Sequence, residues 1–201
     1  MLTFEISGAQ IDGARDYQED AFLITHLGDS DSEGASLVIV ADSMGCTLVA
    51  AVMENKFIRW VSVGDSHLYL IRKNELNKKN ADHSYGGFLD RMAAEGTPVE
   101  PEADFSRNML MSALTGQDIP EIDCPETPLE LEAGDRLIVA SDGLDSLSQG
   151  KILSLSNDAT NPKDCVDALL EGVEEAKTRS IPNTRLPTMT SKKSARNLVI
   201  L

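Results

Sequence analysis

Leu37-Val38-Ile39-Val40-Ala41-Asp42 is an unbroken apolar run that ends in a carboxylate. A short run without a polar break reads as a strand buried on both faces. The pattern returns in Leu137-Ile138-Val139-Ala140-Ser141-Asp142-Gly143, and the acidic pair Glu19-Asp20 stands just before a third apolar stretch, Ala21 to Ile24. Carboxylates at the ends of buried strands meet at a sheet edge, and oxygen donors gathered there suit hard metal ions.

Residues 3–10 and 21–27 read as strands, the second followed by an acidic loop through Gly34. Runs rich in Val, Ile, Leu, Trp60 and Tyr69 then follow one another at 47–53, 57–63 and 67–72, separated by Glu54-Asn55-Lys56 and Gly64-Asp65-Ser66. This spacing predicts three antiparallel strands in a row. Residues 84–96 read as a helix stopped by Gly96 and Pro98, Asn108 to Leu114 as a short strand, and Glu126 to Ala133 as an approach to the strand 136–141. Pro162 to Lys177 is the strongest helix, with Val166, Leu169, Leu170 and Val173 on one face. Leu198 to Leu201 closes the series as a strand. The expected fold class is α+β: two packed antiparallel sheets flanked by helices.

The 201 residues suit a single domain, 1–201. Eighteen basic residues against thirty-three acidic ones leave a net charge of -15, which disfavours nucleic acid and anionic membrane as partners. The stretch 178–196 departs from this balance and reads as an irregular basic loop, either a plain surface loop or a flap for acidic partners. Cys46, Cys124 and Cys165 are widely spaced and, with three histidines, make no zinc pattern. The opening Met1-Leu2-Thr3-Phe4-Glu5 is not that of a signal peptide, and no run approaches the length of a membrane span, so the expected location is cytoplasmic.

Taken singly, an Asp-Gly or Asp-Ser turn is ordinary turn chemistry. Taken in order, five motifs are specific. Gly13-Ala14-Arg15-Asp16-Tyr17-Gln18-Glu19-Asp20, Val40-Ala41-Asp42-Ser43-Met44-Gly45, Gly64-Asp65-Ser66-His67, Asp82-His83-Ser84, and Gly134-Asp135-Arg136-Leu137 through Ser141-Asp142-Gly143-Leu144 follow one another over residues 13–144. The series resembles the metal-dependent type 2C (PPM) serine/threonine protein phosphatases. That resemblance implies a phosphoprotein phosphatase with a binuclear Mn²⁺ or Mg²⁺ centre and a possible third, weaker site. Asp42 would bridge the two ions, Asp20 and Asp142 would each serve one, and the Ser43 carbonyl would add an oxygen. Asp65 would help hold the third ion beside Asp142. Arg15 would grip the substrate phosphate, since a guanidinium fork matches two phosphate oxygens.

Three departures from the family pattern stand beside the matches. Met44-Gly45-Cys46-Thr47 joins two motifs that the family separates by a pair of long helices, so one sheet face is expected to lose its cover and to pair with a second copy, meet a partner or be hidden by another segment. Arg196 occupies the position of the family's last metal-binding Asp, which weakens or removes one metal site. Ser43 and His67 replace Gly and Arg. A catalytically weak phosphatase fold used as a binding or regulatory module is therefore the alternative, and a phosphatase of a small metabolite a third reading.

Overall fold

The computed structural model describes residues 4–11, 20–27, 34–42, 46–179 and 196–200. In chain order the elements are β1 (Ser7–Ile11), β2 (Ala21–Leu27), β3 (Ala35–Asp42), β4 (Thr47–Glu54), β5 (Phe57–Val63), β6 (His67–Arg72) and β7 (Glu75–Lys78). There follow α1 (Tyr85–Ala94), β8 (Leu129–Glu130), β9 (Arg136–Ala140), a 3-10 helix at Asp142–Ser146, α2 (Gln149–Asp158), α3 (Pro162–Arg179) and β10 (Arg196–Ile200). The strands form two five-stranded sheets, ordered β1-β10-β9-β6-β7 and β2-β3-β4-β5-β8. Neighbouring strands are antiparallel throughout.

Side-chain alternation builds the layers. Val38, Val40, Val49, Ala51, Met53 and Ile58 of the second sheet meet Leu68, Leu70, Leu137 and Val139 of the first. The opposite faces of β6 and β9 send Tyr69, Ile71, Ile138 and Ala140 into a second core under the helices, against Ile152, Val166, Leu169 and Val173. The first sheet is therefore covered on both sides, which is why β6 and β9 are apolar at every interior position. The second sheet has no such cover among the described residues. Its outward-facing Leu23, Leu27 and Phe57 are 48%, 44% and 36% exposed.

The row of three antiparallel strands expected from the sequence is only partly formed. β4 and β5 make a hairpin through Asn55, which takes the left-handed conformation (φ 56°). β6 leaves for the other sheet, where it lies between β9 and β7. Two contacts redirect the chain at this corner. Gly64 (φ 97°) passes so close to Thr47 that a Cβ there would sit 2.5 Å from the Thr47 Cβ. The buried Asn80 side chain accepts from the Leu68 amide (2.7 Å) and donates to the Ser66 carbonyl (2.7 Å), holding the chain as it enters β6.

Other differences are local. Residues 108–114 are no strand; they touch their neighbours through isolated bridges, Ser84 with Leu110 and Cys46 with Leu114. The expected helix at 84–96 is α1, with Ser84 as its N-cap: its hydroxyl accepts from the Gly87 amide at 3.0 Å. Helix α2 was not foreseen, and the Ser148 hydroxyl caps it by accepting from the Lys151 amide. The expected basic loop at 178–196 lies almost wholly outside the described residues.

Candidate metal centre

Strand ends bring the acids together two at a time. β3 pairs with β2 so that Ala41 faces Ala21, and continuing that register by one residue sets Asp20 opposite Asp42. Both carboxylates are buried, 5% and 8% exposed. On its other side Asp42 pairs with Thr47, the first residue of β4. The Cys46 thiol next to that pair is pushed up by burial, and then by the charges of Asp42 and Asp20, so both acids act on one point.

The second pair comes from the other sheet. Asp65 sits in the turn between β5 and β6, and Asp142 opens the 3-10 helix that follows β9. The Asp65 carboxyl is pushed up to about 6, first by burial and then by the negative charges of Asp142 and Asp82. His67 and its own backbone amide oppose the rise. Crowded carboxylates of this kind are relieved by a bound cation.

A buried bond ties the two halves. Thr47, across from Asp42, and Ser66, next to Asp65, have their hydroxyl oxygens 2.6 Å apart. Beside the second pair opens a cleft of about 240 Å³, lined among others by Asp65, Asp82, Asp90, Asp142, Asp145 and Arg107. Arg107 donates through Nη2 to both Asp90 carboxylate oxygens, at 2.8 and 2.7 Å, and the buried His67 Nε2 lies 2.9 Å from Asp145 Oδ1. Asp82 has burial pushing its carboxyl up, but Lys78 and Ser84 outweigh that and hold it below the usual carboxylate range.

Of the residues singled out from the sequence, Asp20 and Asp42 stand together at the end of one sheet, and Asp65 and Asp142 stand together at the other. Among the described residues, no three His, Cys, Asp or Glu side chains are arranged as a ready metal cage. Arg15 and Ser43 lie outside the described residues. The backbone of Arg196 pairs with Ile11 at the start of β10. The donor chemistry nonetheless fits a hard divalent ion: every acid is an oxygen donor, two are buried face to face, and no thiol or imidazole set competes.

Sequence reasoning passed over the residues that shape the ground beneath Asp65. Besides Asn80, the buried His83 accepts from the Gly64 amide through Nδ1 (3.0 Å), while its own amide donates to the Gly64 carbonyl (3.1 Å). Burial holds the His83 imidazole below its ordinary range, so it stays neutral and can accept that bond. Asp123, from a distant loop, accepts from the Trp60 indole and the Ala81 amide, each at 2.9 Å. The Asp82-His83-Ser84 match was the one available signal, and it carried no role.

No family model matches the chain. Curated relatives do. The chain is 36% identical over 115 residues to the serine/threonine protein phosphatase PstP of Mycobacterium tuberculosis, covering 56% of this chain and 21% of that protein. It is 36% identical over 108 residues to the protein phosphatase PhpP of Streptococcus pneumoniae, covering 53% of this chain and 42% of that protein. The matches thus span less than half the length of these relatives. Among solved structures, the Mycobacterium tuberculosis PstP/Ppp phosphatase superposes with a TM-score of 0.70 at 19% identity, over 98% of this chain and 97% of that one. The PstP catalytic domain in complex with two manganese ions gives 0.68 at 20%, over 98% and 96%. These structures show the fold. Over about half its length this chain is similar in sequence to serine/threonine protein phosphatases, and over nearly all of it the fold is that of the solved phosphatase structures.

Proposed function

We propose that this protein is a metal-dependent phosphatase that hydrolyses phosphoserine or phosphothreonine in proteins. The observation that carries this reading is a pair of acids at the strand ends of each sheet, Asp20 with Asp42 and Asp65 with Asp142, with the Thr47–Ser66 bond between the two strands that follow them. The kinship with PstP and PhpP, and the two manganese ions in the PstP catalytic domain, support it.

In this reading Asp20, Asp42 and Asp142 would hold two Mn²⁺ or Mg²⁺ ions, with the Ser43 carbonyl as a further oxygen, and Asp65 beside Asp142 would favour a third. Such ions, when bound, supply charge neutralisation for phosphoryl oxygens and acidify water. The protein's own part is positional. Burial strips water from Asp20 and Asp42, which strengthens their pull on a cation. The Thr47–Ser66 bond fixes the spacing between the two sheets that carry the acids. Arg15 would receive the substrate phosphate as a two-pronged donor.

The test is hydrolysis of a phosphothreonine peptide and of an aryl phosphate with and without Mn²⁺, by the wild type and Asp42→Asn. A metal-dependent rate that falls at least ~100-fold in the variant supports the reading. Rates indifferent to Mn²⁺, or equal in the two proteins, favour the second reading, a phosphatase fold used for binding or regulation. The specific observation behind that second reading is Arg196, a cation where the family resemblance expects a ligand.

A further inference from the structure

The outward face of the second sheet is as apolar as its inward face. The registers of β2, β3, β4 and β5 align Leu23 with Ile39, Ile39 with Ala50, Ala50 with Val61, Leu37 with Val52, and Ala41 with Leu48 on one surface. These side chains point away from the core formed by Val38, Val40, Val49 and Ala51. Glu54 and Arg59 are the charged members of that face on these four strands, and Thr25 its other polar one. A sheet apolar on both sides is built to be covered on both sides. The described helices α2 and α3 pack together on the first sheet, with β1, β10 and β7.

We infer that a second copy of this chain covers the outer face of β2–β5, the two sheets stacking face to face about a two-fold axis. Charge and area both favour this occupant. The chain carries -15, so two copies repel over most of their surfaces, yet this face has one acid and one base and therefore no net charge. Four strands about 4.8 Å apart, each about seven residues at about 3.3 Å per residue, span roughly 19 by 23 Å, or about 450 Å² of flat area. Side-chain relief adds to this, bringing each copy toward the range of about 600–800 Å² per partner that separates weak from standard interfaces. The mix of Leu, Ile and Val with alanines at 21, 35, 41 and 50 gives the large and small side chains that aligned sheets interleave when packed about 10 Å apart. The pairing does not depend on what the acidic site does.

Sedimentation equilibrium and light scattering on the full chain, from about 1 to 100 µM, test it; a dimer dissociating in the micromolar range is expected. The species at high concentration should weigh twice the 21.8 kDa of the chain. Ile39→Lys places two charges in the two-fold interface and should raise the dissociation constant about tenfold or more, with the far-ultraviolet circular dichroism unchanged. Ala50→Lys, on the neighbouring strand, gives the same readout should Ile39→Lys fail to fold. Lys151→Glu, exposed on α2, should leave the dimer intact. A monomer across the whole range overturns the inference and points to a different partner for the face. So does a dimer unmoved by both lysines, or an assembly that grows past two copies, because a two-fold contact closes.

Discussion

Thr47 and Ser66 share a hydroxyl–hydroxyl hydrogen bond of 2.6 Å in the buried seam between the two sheets, one residue from Asp65 and across a strand pair from Asp42. Both residues are almost fully enclosed, at 4% and 1% exposure. Thr47→Val keeps the shape and removes one partner, leaving the Ser66 hydroxyl to satisfy itself elsewhere. The expected loss is about 1–2 kcal/mol of unfolding free energy, read from urea titration. An unchanged midpoint would show that the seam does not rest on this bond.

Gly64→Ala should be the more severe change. The added Cβ meets the Thr47 Cβ at 2.5 Å, and the φ of 97° is one that L side chains rarely adopt. Strain and overlap together are expected to cost about 2 kcal/mol or more. Thermal unfolding measures the cost, and a variant as stable as the wild type would mean that the corner between β5 and β6 relaxes freely.

Acid should loosen the molecule through Asp135. Burial pushes this carboxyl up, but the Arg72 fork (2.9 and 2.5 Å) and the Glu132 amide (2.7 Å) outweigh it and hold it below the usual range. A carboxyl depressed in the folded state contributes stability that is fully present above its unfolded pKa of about 3.9 and is lost as pH falls through the folded value. Asp135→Asn should therefore cost about 1–2 kcal/mol at pH 7 and much less near pH 3. Urea titrations at the two pH values check this. A deficit that stays constant with pH would place the effect in packing instead of charge.

Divalent metal should stabilise the fold. If Asp20, Asp42 and Asp142 hold Mn²⁺, a free concentration 100 times the dissociation constant adds about 2.7 kcal/mol. The wild type should melt at a higher temperature in Mn²⁺ than in chelator, and Asp42→Asn should lose most of that difference. Equal shifts in both proteins would place the ion elsewhere.

How much of this was legible depended on whether the signal was local. β3, β4 and β9 announce themselves because the residues away from their ends are apolar on both faces, and α3 because Val166, Leu169, Leu170 and Val173 repeat at helical spacing. Asp42 and Asp142 were legible because each ends such a run and Asp20 because it stands just before an apolar stretch, whereas Asp65 was singled out only through the family resemblance. What stayed hidden is made by contacts distant in sequence. That β6 belongs to the other sheet is decided by Asn80 and by the squeeze of Gly64 against Thr47, neither of which has a local pattern. Helix α2 carries Gly150, Ser154 and Ser156, poor helix formers that the packing of Ile152 under the first sheet overrides. Met109 and Met111 gave residues 108–114 the look of a strand, yet both are substantially exposed and the segment is held by scattered bridges.

The place of β10 has a consequence for biosynthesis. It fills the gap between β1, at residues 7–11, and β9, so every other strand and helix described lies in sequence between the two partners of the β1–β10 ladder. A nascent chain leaving the ribosome cannot seal this sheet until residue 200 emerges, and until then β1 waits without a neighbour while β9 shows a raw edge. Closure over so long a span is slow, which makes the unfinished protein a natural client for chaperones during synthesis.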